Sequence, residues 1–278
     1  MKPARFSYEA PATLEGALAA LAAHDDARII AGGQSLAPMM NMRLAQPEHL
    51  VDINRIPGMD GMAEDGDTLV LGALVRHADL AASPLVRRRC PILAHAAGTI
   101  GHVAIRHRGT LGGSLAHADP AAQLPLVCTV LDAVIEAASP GGGRRIPVSG
   151  FFESVFTTVL EPAEIVTAVR VPALRPGDRW GFRLFNRRAG DYAEAGVAVL
   201  ATGGAIRIAV GAVGPVPVRM DEALPEFDAA DAGWAARAAR AVADAADIED
   251  TARMPADYRR DILAAMVEDA LADAGAAR

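Results

Sequence analysis

Leu14, Ala17, Leu18 and Leu21 recur at helical spacing, while Glu15 falls off that stripe. The pattern predicts a helix over 13–23, with Thr13 as its N-cap and Glu15 in the first turn. Two short strands are predicted next, over 28–31 with the apolar run Ile29-Ile30-Ala31 and over 50–53. Between them a Gly-Gly turn leads into a short helix around 38–44. This α-β-turn-α-β order makes a first lobe over residues 1–55.

A strand is predicted inside "GDTLVLGALV", and residues 78–97 read as helical with breaks at Pro84 and Pro91. An apolar helix over 121–131 leads to a strand over 133–138. The "SPGGGRR" turn then sends the chain back as a hairpin toward 146–148. "EIVTAVRVP" is a further strand, ended by Pro172, and closes a second lobe over 56–175. From Pro176 the spacing changes. "RWGFRLFNRR", "YAEAGVAVLAT" and "AIRIAVGAV" read as three strands of an antiparallel meander, with Tyr192 opening the second. Two alanine-rich helices follow, over 234–246 and 256–274, the latter carrying Ile262, Leu263, Met266, Val267, Ala270 and Leu271 on one stripe. The fold class is α+β, and the third lobe spans 176–278.

Composition narrows the function classes. The chain has 278 residues, 51% hydrophobic and 22% charged, as a globular protein does. A net charge of −7 argues against nucleic acid as a main partner, since phosphate backbones need a basic surface. Cys90 and Cys128 are the only cysteines and form no CxxC, which disfavours a disulfide scaffold, a cysteine zinc site and an iron–sulfur cluster held by this chain. No signal-peptide pattern opens the chain and no run approaches 18 apolar residues, so no membrane span is expected. The expected location is the cytoplasm, free or against the inner face of the membrane.

Candidate chemistry concentrates in glycine-rich stretches. "AGGQS" (31–35) follows a strand and precedes a helix; "GTLGGS" (109–114) precedes another. Each presents unhindered N–H groups toward a helix start, where phosphate oxygens are favoured. The two loops fit a grip on both phosphates of one dinucleotide, or a pair of tight turns. No GxGxxG opens a helix, and neither GxxxxGK[ST] nor GxSxG occurs. His95, His102, His107 and His117 crowd one region without the spacing of metal ligands, and hydrogen bonding beside a ligand suits them better. Arg106 and Arg108 attract phosphate or are solvated, and Asp119 is placed to cap the next helix. Tyr192 is a strand aromatic, or a ring that covers a flat cofactor.

Three segments, "IIAGGQSLAPMMNMRLAQPEHLVDI", "TIGHVAIRHRGTLGGSLAHADPAAQLP" and "FNRRAGDYAEAGVAV", together closely resemble the FAD-binding medium subunit of molybdenum hydroxylases. That family includes the carbon monoxide dehydrogenase medium chain and the flavin domain of xanthine dehydrogenase. The resemblance runs in order across nearly the whole chain. It implies an FAD-binding fold of the vanillyl-alcohol-oxidase/PCMH type, with two α+β lobes and a C-terminal lobe of a three-stranded antiparallel sheet plus helices. It implies a pyrophosphate site at Ala31, Gly32, Gly33, Gln34, Ser35 and Leu36, and at Thr110, Gly112, Gly113 and Ser114. Ile100 then lies beside the flavin, and His117 and Asp119 lie near the ribose or ribityl chain. Ile165 or Val166 makes an apolar contact, and Arg183 stands where xanthine dehydrogenases often carry a cofactor-contacting lysine. Tyr192 faces the isoalloxazine ring, with Asp191 beside it. Two residues depart from the pattern. Gln34 replaces a histidine frequent in carbon monoxide dehydrogenase-like chains, and Gln123 replaces a Glu or Asp.

The function implied is an electron-transfer subunit that takes electrons from a [2Fe–2S] small subunit and passes them to an external acceptor. The molybdenum cofactor would sit on a large subunit, in a dimer of heterotrimers. This chain would contribute cofactor placement, with no catalytic residue or metal ligand of its own. Two other readings stand beside it. A stand-alone flavin-dependent oxidoreductase would need proton-transfer residues that do not stand out, and a flavin-free assembly subunit would not need intact glycine loops. The acceptor, whether NAD, a quinone or oxygen, is open.

Overall fold

The computed structural model describes residues 1–228, 231, 233–252 and 254–276. The chain begins with β1 (Ser7–Glu9), α1 (Leu14–Ala23), β2 (Ala27–Ile30), α2 (Leu36–Asn41) and β3 (His49–Asp52). These strands form a parallel sheet in the order β1-β3-β2. α1 starts where expected: Thr13 Oγ1 accepts the Gly16 N–H at 3.1 Å. Its Ala17, Leu18 and Leu21 are buried.

The middle of the chain supplies β4 (Met62–Asp65) and β5 (Thr68–Gly72). Six helices follow: α3 (His77–Ala82), α4 (Pro84–Arg89), α5 (Pro91–Thr99), α6 (Val103–Arg106), α7 (Leu111–His117) and α8 (Gln123–Val130). The helical stretch expected over 78–97 is thus three helices. Pro84 and Pro91 each open a new one, where a missing N–H costs nothing. After α8 come β6 (Val134–Ser139), β7 (Gly142–Pro147), a small hairpin of β8 (Phe152–Ser154) with β9 (Thr157–Thr158), and β10 (Ile165–Pro172). The antiparallel sheet runs β4-β5-β10-β6-β7. Every residue of α8 is buried, because this helix is clamped between the middle sheet's core and the C-terminal sheet.

The C-terminal part has β11 (Arg179–Phe185), β12 (Ala195–Thr202), β13 (Ala205–Gly211), β14 (Val218–Arg219), α9 (Trp234–Ala245) and α10 (Ala256–Asp273). Its sheet has four strands rather than the expected three, since the two-residue β14 adds to β13. α10 lies directly on β11: a Cβ on Gly181 would stand 2.0 Å from the Ala270 carbonyl oxygen. Trp234, Leu263, Val267 and Leu271 fill this second core, each burial contributing about 1.5–3 kcal/mol. β12 begins at Ala195, opposite Phe185, so Tyr192 sits in the preceding loop and does not open the strand.

Candidate functional site

The loop after β2 is built by Gly33, which takes φ +69 and turns the chain into α2. The backbone N–H groups of Gly33, Gln34 and Ser35 have no acceptor among the described residues. Gln34 closes its own loop by donating Nε2 to the Gly32 carbonyl at 3.1 Å. The second loop is different. Leu111 N–H donates to Val75 O (3.0 Å), Gly112 N–H to Ala73 O (2.8 Å) and Ser114 N–H to Thr110 O (3.0 Å). Gly113 N–H goes to Thr110 Oγ1 at 3.1 Å, so Thr110 is the N-cap of α7 and is buried behind it. The second loop's donors are spent inside the protein.

What the bare glycines admit is, in two cases, the protein itself. A Cβ on Gly32 would stand 2.3 Å from the Arg108 carbonyl oxygen, and one on Gly112 2.5 Å from Ala73 Cβ. The two glycine loops are therefore pressed together, the one after β2 against the one before α7. A polar clasp holds them there. Asn54 Nδ2 donates to Ala31 O (2.8 Å), and Arg76 bridges Asn54 Oδ1 and Arg108 O, both at 2.6 Å. Asp52 orients Asn54 and accepts the Tyr8 hydroxyl at 2.6 Å. Beneath, His77 Nε2 lies 3.0 Å from Thr110 O, and burial pushes this imidazole down to about 4.

Around the loops opens a cavity of about 1000 Å³, at the upper end for cofactor sites. Ala31, Gly32, Gly33, Gln34, Ser35 and Leu36 line it from the turn between β2 and the start of α2. Ile100, Gly112, Gly113, Ser114, His117, Asp119, Gln123, Ile165, Val166 and Tyr192 line it from the remainder of the chain. Gln123 is buried, and its side-chain amide has no protein partner among the described residues. His117 packs against Phe156 in a tilted pair with centroids 4.9 Å apart, and its pKa is lowered by burial against the opposing pull of Asp119. Asp119 does not cap α8 itself; its Oδ1 accepts the Ala121 N–H at 2.9 Å, two residues before the helix. Tyr192 is 72% exposed at the mouth. Partial burial of its hydroxyl end and the Asp119 charge both raise its pKa.

Two expected contacts lie elsewhere. Asp191 is exposed and outside the cavity lining, its N–H donating to Arg188 O. Arg183 faces away because alternation on β11 puts it on the same side as Gly181, toward α10, where it pairs with Asp273. It lines a second cleft together with His95 and His102. Sequence reasoning missed Asn54, Arg76 and His77, which carry no motif, and the segment from Phe156 to Glu164. That segment walls the cavity and is fixed by Arg144, which ion-pairs with Glu164 at 2.6 Å and donates to Val159 O at 2.7 Å.

Comparison with known proteins agrees with this geometry. The family model described as "FAD binding domain in molybdopterin dehydrogenase" matches residues 4–174, and "CO dehydrogenase flavoprotein C-terminal domain" matches residues 180–274. The carbon monoxide dehydrogenase medium chain of Hydrogenophaga pseudoflava is 39% identical over 281 residues, covering 98% of this chain and 97% of its own. The 6-hydroxypseudooxynicotine dehydrogenase complex subunit alpha of Paenarthrobacter nicotinovorans is 42% identical over 284 residues, covering 99% and 96%. Among solved structures, carbon monoxide dehydrogenase from Hydrogenophaga pseudoflava superposes with a TM-score of 0.94 at 40% identity, over 99% of both chains. Quinoline 2-oxidoreductase from Pseudomonas putida 86 gives 0.94 at 35% identity over the full length of both.

Proposed function

Because the chain belongs to the FAD-binding medium-subunit family of molybdenum hydroxylases, we propose that it relays electrons from a [2Fe–2S] subunit to an external acceptor. The molybdenum cofactor, on this reading, is held by a large partner subunit, the complex is a dimer of heterotrimers, and it works in the cytoplasm. No helix among the described residues is long and apolar enough to cross a membrane.

FAD is the family's cofactor, and the residues present fit it. The observation that carries the reading is the row of unspent N–H groups at Gly33, Gln34 and Ser35, on a cavity large enough for a dinucleotide. These amides would hold the diphosphate. Ser114 lines the same space and adds a hydroxyl from the second lobe. Neutral His117, Asp119 and the unpartnered Gln123 amide would take sugar and ribityl hydroxyls, while Ile100, Ile165 and Val166 form an apolar wall. Tyr192 would cover one ring face at the mouth and limit the acceptor's approach. Bound FAD supplies the interchange between one-electron and two-electron transfer. The protein's part is to grip, orient and partly desolvate.

Isolation from the host tests this directly. We expect a yellow complex with one FAD per chain, a larger molybdenum-containing partner and a smaller iron–sulfur partner. A colourless chain that cannot be loaded with FAD, or a yellow one that purifies without either partner, would overturn the proposal.

A further inference from the structure

Arg183 leads to a second concavity, a cleft of about 490 Å³ between the α5–α6 segment and β11 with the loop that follows it. Its polar lining is His95, Thr99, His102, Arg106, Arg183 and Asn186, with no Asp or Glu among the described residues that line it. On a chain of net charge −7 such a basic concavity stands out. Each guanidinium is tethered by one nitrogen. Arg106 Nη1 donates to Ile100 O and Gly101 O, both at 2.9 Å. Arg183 Nη1 donates to Phe182 O at 3.1 Å and pairs with Asp273 from the end of α10. Among the described residues nothing accepts from Nη2 or Nε of either, and Arg106 has no carboxylate partner. Planar groups fixed at one corner with free donor edges are suited to oxyanions.

The position is as telling as the charge. The Thr99–His102 turn separates the two concavities: Ile100 lines the cofactor cavity, whereas Thr99, Gly101 and His102 line the cleft. Across the rim, Gly190 takes φ +90 and lies close enough that a Cβ would stand 3.1 Å from Gly101 O and 3.3 Å from His102 Cε1. The loop after β11 is therefore seated against the turn that walls the cofactor cavity.

We propose that this cleft is a second ligand site, which binds the phosphate or carboxylate group of a small anionic molecule one backbone turn from the cofactor cavity. Resting on the electron-relay reading, the ligand it suits is an external acceptor that carries such a group. Arg106 and Arg183 would clasp the oxyanion, and His102 would add an N–H from the rim.

The test titrates FAD-saturated protein with inorganic pyrophosphate and, separately, with citrate, by calorimetry and, for pyrophosphate, ³¹P line broadening. Saturable binding of at least one probe is expected, weakened about tenfold or more in Arg183→Gln and in His102→Gln. The better-bound probe tells whether phosphate or carboxylate is preferred. His102 is an exposed rim residue, so its variant stays folded should loss of the Arg183–Asp273 pair disturb α10. No saturation by either probe below about 10 mM, or equal affinity in wild type and both variants, would overturn the proposal. The readout is anion binding and not flavin chemistry, so a chain that rejects FAD is titrated without it, and anion binding at the Gly33 loop would be insensitive to His102. A chain that rejects FAD therefore sinks the electron-relay reading alone.

Discussion

Gly32→Ala separates two reasons for a bare backbone at the first glycine loop. The added Cβ would lie 2.3 Å from Arg108 O, 2.8 Å from Gly109 Cα and 2.9 Å from Arg108 C. All three atoms are backbone, so no rotamer change relieves the clash, and the loops must part by about 1 Å. That movement also pulls on the Arg108 carbonyl, which accepts from Arg76 at 2.6 Å and through it from the Asn54 clasp. Overpacking costs about 1–3 kcal/mol, and a weakened charged hydrogen bond adds about 1 kcal/mol. A loss of about 2–4 kcal/mol corresponds to a fall in Tm of at least about 4 °C. Calorimetry on protein stripped of FAD is the decisive assay. If Gly32 were bare only to admit a phosphate, stripped variant and wild type would melt together and only FAD affinity would drop. A Tm within about 1 °C of wild type would refute the inter-lobe account.

Gln123→Leu keeps the buried volume but removes the unpartnered amide. FAD affinity, read by fluorescence on reconstitution, should fall about tenfold with little change in Tm. Tyr192→Ala removes a ring that is 72% exposed, so stability should change by less than about 0.5 kcal/mol. Flavin reoxidation by acceptors should change in that variant, and identical stopped-flow rates would dismiss the covering role. His77 makes stability pH-dependent. Its folded pKa of about 4 lies below the ordinary 6.5, so the unfolded chain takes up the proton first as pH falls. The contribution is complete above 6.5 and is lost toward 4, by up to about 3 kcal/mol. His77→Gln keeps a donor toward Thr110 O and should flatten the slope of the urea midpoint between those pH values.

Glycine loops punctuate a sequence visibly, which is why two of the segments that line the large cavity could be read in advance. What could not be read is the partner of each bare amide. Gly32 needs no side chain because Arg108, distant in sequence, arrives on top of it, and only the folded lobes reveal that. Gly112 likewise makes room for Ala73, and its loop's donors are absorbed by residues 73–75 and Thr110, so two similar motifs have unequal roles. Asn54, Arg76 and His77 were illegible for the same reason: ordinary polar residues gain a role only from carbonyls that segments distant in sequence deliver. Strand parity explains Arg183. The resemblance set it where a cofactor-contacting lysine is common, but alternation on β11 turns it toward α10 together with Gly181. Tyr192 fails differently, since "YAEAGVAV" has strand composition from its first residue. Pairing nevertheless starts only at Ala195, the first position to find a ladder partner across from Phe185. The loop before the ladder is what brings Tyr192 to the mouth of the cavity, where a ladder position would have fixed its side chain on one face of the sheet.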